Sequence, residues 1–331
     1  MDIRGKKILV IGGAGLIGSH VVDELVSEDI GEVIIYDNFT RGTVENLEGP
    51  LRDPRVRIFE IGGDICQPDI LDVAMQESDI VFHFAALWLL HCHQYPRSTF
   101  RVNVEGFFNV LEGCVNNNIE RLVWSSSASV YGDALTEPMD EDHPFNNKNL
   151  YGATKIAGEA MATAYAHRYG LQQTGLRYMN VYGPRQDYQG AYIAVIMKML
   201  DAIDNGEAPT IFGDGSEAFD FVYVGDCAKA NVCAMRADNT DRYYNVGTGE
   251  RTTLKELAEK LLNLTGCNLP IQYKERSQAT LVRNRIGDPT RATAELGFIA
   301  EKNLDQGLAE LIQWRADHKA DVEARRAKAA P

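Results

Sequence analysis

The chain of 331 residues carries a formal net charge of −14, with 45% of its residues hydrophobic and 24% charged. That is enough chain for two domains or one large one, and without a basic cluster before the tail, nucleic acid and acidic membrane are poor partners. The six cysteines (66, 92, 114, 227, 233 and 267) are scattered with no CxxC pair, so reduced thiols in a cytoplasmic protein are expected.

The first residues, Met1 to Lys7, lack the pattern of a signal peptide, and no apolar run approaches membrane-spanning length. Lys7-Ile-Leu-Val-Ile11 reads as a short buried strand. It ends in Gly12-Gly-Ala-Gly15-Leu-Ile-Gly18. Glycines at 12, 15 and 18 allow a tight turn, close backbone approach to a pyrophosphate, and close packing of the next helix, Ile17 to Glu28. The first amides of that helix and its dipole suit phosphates, so Gly12, Gly15, Leu16, Ile17 and Gly18 are candidate dinucleotide contacts. A second strand, Glu32 to Tyr36, ends at Asp37-Asn38. An acid there can bond both hydroxyls of an adenosine ribose and repels a 2′-phosphate, which favours NAD over NADP despite nearby Arg41.

Val56 to Ile61 is a further expected strand, leading to Asp64-Ile65, and Asp79 to Phe84 another, ending at Ala85-Ala86. A helix follows from Arg97 to Asn116, then a strand from Arg121 to Ser125, a helix from Leu150 to Tyr169 and a strand from Gln173 to Tyr178. This alternation predicts an α/β fold with a doubly wound parallel sheet, its ligand at the strands' carboxyl ends. After Asn180 the pattern loosens. Tyr182 to Gln186 is a loop and Tyr192 to Asn205 a helix. Asp220 to Val224 and Arg242 to Val246 are strands returning to the sheet. Thr252 to Leu264, Thr290 to Leu296 and Asn303 to Lys319 are helices. The expected division is a Rossmann-type NAD-binding domain at 1–178, with 221–250 returning to it. A smaller C-terminal α/β substrate domain takes 179–220 and 251–316, and 317–331 form a charged tail.

Tyr151-Gly-Ala-Thr-Lys155 is the candidate catalytic element. Four residues apart on a helix, the two side chains share a face. An ammonium beside a phenol favours the phenolate and lowers its pKa from about 10. Tyr151 could then exchange a proton with a substrate hydroxyl near neutral pH. Ser125-Ser-Ser-Ala-Ser-Val-Tyr-Gly132 ends a strand, where a serine can bond the hydroxyl or ketone on which Tyr151 works. His91, Cys92 and His93 are adjacent and lack the spacing of a closed zinc site, so no metal is expected.

The glycine loop, Asp37, Asp64-Ile65, Ser125 to Gly132, Tyr-x-x-x-Lys, Leu176-Arg-Tyr-x-Asn180-x-Tyr-Gly-Pro-Arg185 and Phe221-Val-Tyr-Val-x-Asp226 occur in that order. Together they resemble the extended short-chain dehydrogenase/reductase family, and within it the nucleotide-sugar 4-epimerases, over residues 5 to 315. The resemblance implies a UDP-sugar substrate and a tightly bound NAD. It assigns Tyr151 as base, Ser127 beside it, and Lys155 to the nicotinamide ribose. Asn103, Ala85, Ala86, Ser125 and Tyr178 fall in the cofactor pocket, Asn180 at the substrate diphosphate and Phe212 at the uracil. It also implies a homodimer through the helices Arg97–Asn116 and Leu150–Tyr169. Their apolar positions Val104, Phe107, Phe108 and Leu111, and Ala157, Met161, Ala164 and Tyr165, exceed what one sheet face needs.

Departures from relatives narrow the reaction. The 4,6-dehydratases carry Asp-Glu where this chain has Ala128 and Ser129, decarboxylating relatives carry a glutamate at Ser129, and C3/C5 epimerases have a cysteine near Ala128. C4 epimerisation remains. The family's Arg-Asp-Phe reads Phe219-Asp-Phe221, and its Arg-Pro-Gly-Asp aligns near Gln278 to Leu281, leaving Arg276, Arg283 or Arg285 to meet the diphosphate. Arg185 is either a solvated loop residue or faces the sugar C6. With the shelf Ser127, Ala128 and Ser129 it would suit a carboxylate, which points to UDP-glucuronate/UDP-galacturonate as the substrate pair. The other readings are a UDP-glucose or UDP-N-acetylglucosamine 4-epimerase, a net NAD(P)-dependent sugar reductase or dehydrogenase, and a non-catalytic dinucleotide sensor.

Overall fold

The computed structural model describes residues 1–186, 195–275 and 282–320. Strands β1 (Lys7–Ile11), β2 (Glu32–Tyr36), β3 (Val56–Ile58), β4 (Ile80–His83), β5 (Arg121–Ser127) and β6 (Gln173–Tyr178) join Arg242–Val246 in a seven-stranded sheet. Its order is Arg242–Val246, β6, β5, β4, β1, β2, β3, and every neighbouring pair is parallel. Strand sequences dense in Ile, Leu and Val produce this because both faces of a parallel sheet are covered. In β1 the alternation sends Ile8 and Val10 into one core and Leu9 and Ile11 into the other. The order reverses between β1 and β4, which opens a crevice at their carboxyl ends.

Helix Leu150–Tyr169 has the expected bounds, and both are written in the chain. The Asn149 side chain accepts from the Gly152 amide at 2.8 Å, and Gly170 ends the helix at φ +72°. The expected helix at 97–116 is helical throughout but not uniform. It begins as Pro96–Thr99, widens to a π-helical turn over Phe100–Gly106, and continues as Phe107–Asn116. Two helices besides Pro68–Gln76 escaped the sequence reading, Leu89–Gln94 and Val224–Arg236. The second is rich in small residues that pack closely. Ala228, Ala230 and Ala234 are fully buried.

That second helix explains one correction. Phe221–Tyr223 does not return to the large sheet, because the helix starts at Val224. Instead it pairs in parallel with Asn180–Tyr182. Arg242–Val246 does return, beside β6. A third core gathers Tyr182, Met197, Leu200, Ile211, Leu257, Leu261, Leu308 and Leu311. Its helices are Val195–Asp204, Leu254–Thr265 and Leu304–Asp317, the last two opened by capping boxes at Thr253/Glu256 and Asn303/Gln306. The start of the expected helix at 192, Arg276, Gln278 and most of the tail lie outside the described residues. Among the described residues no helix is long and apolar enough to cross a membrane.

Two of the expected dimer positions are corrected here. Phe107 and Leu111 are buried within the chain's own core, against Trp124 in the case of Phe107. Phe108 remains 42% exposed, and Phe100 62%.

One buried polar network joins the elements behind the crevice. Arg177 on β6 donates to both carboxylate oxygens of Glu159 on Leu150–Tyr169, at 2.8 and 2.7 Å. Ser126 on β5 donates to the same carboxylate at 2.6 Å. The remaining Arg177 nitrogen donates to the Tyr131 hydroxyl and the Glu141 carbonyl, and Tyr131 donates to Asn245. Removing one partner strands a buried charge, which costs about 3–5 kcal/mol. Glu159→Ala should lower unfolding stability by that amount in urea titrations; a loss below about 1 kcal/mol would show that the pair does not hold these elements.

Candidate active site

The turn after β1 is compatible only with glycine at two places. Gly12 has φ +78°, and a Cβ there would lie 2.7 Å from the Ala85 amide nitrogen; at Gly18 it would lie 2.2 Å from the Gly12 carbonyl oxygen. Helix Leu16–Val26 follows. Its N-cap is Gly15, which brings no side chain to the first amides. These amides open onto a cavity of about 610 Å³, within the range of small-molecule sites. Gly12, Gly15, Leu16, Ile17, Gly18, Asp37, Asn38, Asp64, Ile65, Ala85, Ala86 and Ser125 all line it.

Asp37 is held by two amides, Ala14 at 2.9 Å and Phe39 at 2.8 Å. Burial raises its pKa and the two amides oppose the rise. Each carboxylate oxygen has a further lone pair for a ribose hydroxyl. Tight backbone at Gly12 and Gly18, an uncapped helix start and a fixed carboxylate beyond it fit a dinucleotide.

Other lining residues carried no clear sequence signal. Arg41 stacks over the Trp88 ring at 4.4 Å from its centroid, with both side chains on the cavity wall. Gln186 and Trp314, the latter from helix Leu304–Asp317, close another side. Arg185 is there too, and the structure overturns its expected direction. It has φ +65°, and its guanidinium pairs at 2.6 Å with Asp23 on Leu16–Val26. It thus lines the dinucleotide cleft, paired with the helix that follows the glycine turn.

The catalytic candidates gather at the end of β5. Lys155 is buried and donates to the Ser125 carbonyl at 2.6 Å, its ammonium 5.7 Å from the Tyr151 ring centroid. Tyr151 keeps partial exposure, and the Ser127 side chain lies against its phenol. The expected lowering of the Tyr151 pKa is overturned. Burial pushes it up to about 12, Ser127 and Arg285 opposing, while burial brings Lys155 down to about 8. Desolvation dominates because the phenol's charged form is the one that burial disfavours. Ser127, Tyr151 and Lys155 do not line the large cavity; Lys155 walls a small one beside it, with Asn103, and both cavities share Ala85 and Ala86.

Several expected contacts have other partners. Asn103 is buried; its side chain accepts from the Leu87 amide at 2.7 Å and donates to the Leu87 carbonyl at 2.9 Å, which fixes the chain after β4. Tyr178 points into the core with its hydroxyl on Asn231, away from the cofactor cleft. Ala128 and Ser129 are buried, so of the proposed shelf Ser127 alone keeps exposed surface. Asn180 is half-buried and donates to the Asp220 carbonyl at 3.3 Å. Phe212 is 49% exposed at the end of Thr210–Phe212. Arg283 is exposed, whereas Arg285 is buried and coupled to Tyr151. His91, Cys92 and His93 diverge. Cys92 is buried against the Leu87 carbonyl at 3.3 Å, and His93 is exposed.

Comparison with known proteins gives this geometry a family. Residues 8–247 match the model of the NAD dependent epimerase/dehydratase family. The chain is 32% identical over 311 residues to the UDP-glucose 4-epimerase of Mycolicibacterium smegmatis, covering 93% of this chain and 98% of that one. A solved UDP-N-acetylglucosamine 4-epimerase from Methanobrevibacter ruminantium, in complex with UDP-N-acetylmuramic acid, superposes with a TM-score of 0.89 at 32% identity, over 96% of this chain and 100% of that one. The Thermus thermophilus UDP-glucose 4-epimerase in complex with NAD gives 0.83 at 30% identity, over 93% and 99%. With its parallel sheet, glycine turn and fixed Asp37, the chain belongs to the NAD-dependent epimerase/dehydratase family.

Proposed function

We propose that this protein inverts C4 of a UDP-sugar, with NAD resident in the cleft beside β1. The observation that carries the reading is the grouping of Ser127, Tyr151 and Lys155 at the end of β5, beside positions 128 and 129 that hold no ionisable side chain. Elimination or decarboxylation on this scaffold calls for acids there. A proton exchanged at a single oxygen does not.

Bound NAD supplies a reversible hydride acceptor. Asp37 holds the adenosine ribose and the amides from Gly15 onward face the diphosphate. Tyr151 takes the proton of the 4-hydroxyl and later returns it, while Ser127 hydrogen-bonds the same oxygen. Lys155 holds the nicotinamide ribose, while Ser127 and Arg285 favour the phenolate of Tyr151. The unit 179–220 with 251–316 takes the nucleotide, Asn180 at the diphosphate and Phe212 against the uracil, and 1–178 with 221–250 holds NAD. Arg185, paired with Asp23, lends no support to a uronate.

Tyr151→Phe removes the proton carrier and little packing. Turnover should fall by far more than tenfold, while co-purified NAD stays bound. A variant retaining more than about a tenth of wild-type kcat, under roughly 1.4 kcal/mol, removes Tyr151 from this role. A panel of UDP-sugars with C4 inversion read by NMR tests the reaction itself.

Lys155 generates a pH prediction. Its folded pKa is about 8, against about 10.4 for a lysine in an unfolded chain. Below pH 8 both states hold the proton and the folded state carries the whole burial cost. Between these values only the unfolded chain keeps it, so this group's contribution to stability rises with pH. Lys155→Met should therefore compare best with wild type at pH 7 and lose that advantage toward pH 10 in thermal melts; a pH-independent difference would contradict it.

We further propose a homodimer. Phe100, Val104 and Phe108 on one helix and Ala157, Met161, Ala164 and Tyr165 on the other leave apolar surface outward. Light scattering at micromolar concentration should give about twice 36.8 kDa, and a monomer refutes the pairing.

A further inference from the structure

We infer that Arg285 is the receptor for a carboxylate on the sugar, which makes a UDP-hexuronate the substrate; this rests on the epimerase reading above. The first observation is how the residue is placed. Asn284–Arg285 is a two-residue strand parallel to Ala218–Phe219, and the Arg285 carbonyl accepts from the Asp220 amide at 3.0 Å. The Asp133 carboxylate accepts from the amides of Arg283 and Asn284 at 2.7 and 3.0 Å. The arginine is therefore fastened to the chain that continues from Ser127 through Gly132. Its position does not depend on a free loop.

The second observation is a buried charge with spare donors. Arg285 is 8% exposed, yet Nε and Nη2 share a single acceptor, the Gly132 carbonyl, at 3.4 and 3.3 Å. Among the described residues no carboxylate forms an ion pair with it, although Asp133 favours its charge from farther off, and Nη1 makes no hydrogen bond. Of the other two buried arginines, one has an ion pair and one has three neutral acceptors, although Arg121 Nε stays unpartnered. Arg177 has the Glu159 carboxylate. Arg121 has the carbonyls of Ala234 and Ala237, at the end of helix Val224–Arg236, and the Gln172 side chain. A guanidinium buried without an ion-pair partner is costly. An anion arriving with the substrate supplies what the chain does not, and a planar fork suits a carboxylate.

The third observation is direction. Arg285 and Tyr151 stabilise each other's charged forms, and burial holds the Arg285 guanidinium down to about 10. Tyr151 works at the C4 oxygen. C6 adjoins C4 through C5, whereas the diphosphate hangs from C1 across the ring. The substrate anion nearest Tyr151 is thus the one on C6. The guanidinium also explains how a 4-keto acid would survive. Loss of CO2 breaks the C5–C6 bond and moves its electron pair to the C4 oxygen as an enolate, which abandons the contact with Arg285.

The test compares UDP-glucuronate, UDP-glucose and UDP-N-acetylglucosamine on wild type, Arg285→Met and Arg285→Lys, with equilibrium binding of each measured by calorimetry. Wild type should favour UDP-glucuronate. In Arg285→Met the ratio of kcat/KM for UDP-glucuronate to that for UDP-glucose should fall on the order of 100-fold, with Arg285→Lys intermediate. Equal losses on both sugars, as a phosphate contact or a packing role would give, overturn the inference. So does a wild-type preference for either uncharged sugar, which leaves the epimerase reading standing. Conversion of UDP-glucuronate to a UDP-pentose with release of CO2 overturns both the protective carboxylate contact and epimerisation. Where Arg285→Met fails to fold, the calorimetric preference of Arg285→Lys decides. Where nothing turns over, Arg285-dependent binding of UDP-glucuronate over UDP-glucose still decides the inference by itself.

Discussion

The ion pair between Arg177 and Glu159 is the constraint from which the rest of the site follows. It is fully desolvated and bidentate, and its leftover hydrogen-bonding capacity is taken up by Ser126, Tyr131 and the Glu141 carbonyl. Such a pair contributes little net stability compared with apolar packing, but it tolerates few geometries. Here it fixes the helix bearing Tyr151 and Lys155 against β5 and β6. Lys155 then donates to the Ser125 carbonyl, and Ser127 is delivered to the phenol. The chain after Ser127 is held as well, since Tyr131 bridges Arg177 to Asn245 beside the edge strand.

Electrostatics around Tyr151 run against simple pair reasoning. A lysine four residues away suggests an acidified phenol, but both groups are removed from water, and burial disfavours each one's charge. The phenol rises and the ammonium falls. Two tendencies oppose the rise, the Ser127 contact and the Arg285 charge. Each further cation or hydrogen-bond donor brought to the pocket acts in the same direction as they do.

The parallel core was legible because local signals and tertiary demand agree. β1 is apolar on both faces, and Asn149 and Gly170 announce the bounds of their helix. Val224–Arg236 was hidden because its buried residues mix alanines with the polar Asp226 and Asn231, which break up the apolar stripe. Tyr178 shows a different limit. Strand alternation says that its side chain leaves one face of β6 but not which core receives it, and Asn231, distant in sequence, decides. Arg185 and Arg285 are alike as letters in polar stretches. One is drawn away by Asp23 and the other enclosed by Gly132 and Asp133, and neither outcome has a local cause.

Trp314 and Arg185 place parts of the later chain on the wall of a cavity whose floor is the first βα turn. A molecule filling that cavity touches Leu16 and Trp314 together, nearly three hundred positions apart in sequence. By mass action, a ligand that binds only the folded arrangement at about a hundred times its Kd adds about 2.7 kcal/mol to its stability. Occupancy of the cleft therefore acts as a tether between the beginning of the chain and its last described helix. The C-terminal helix is drawn into the same cooperative unit as the glycine turn, and fraying at either end is coupled to release at the other.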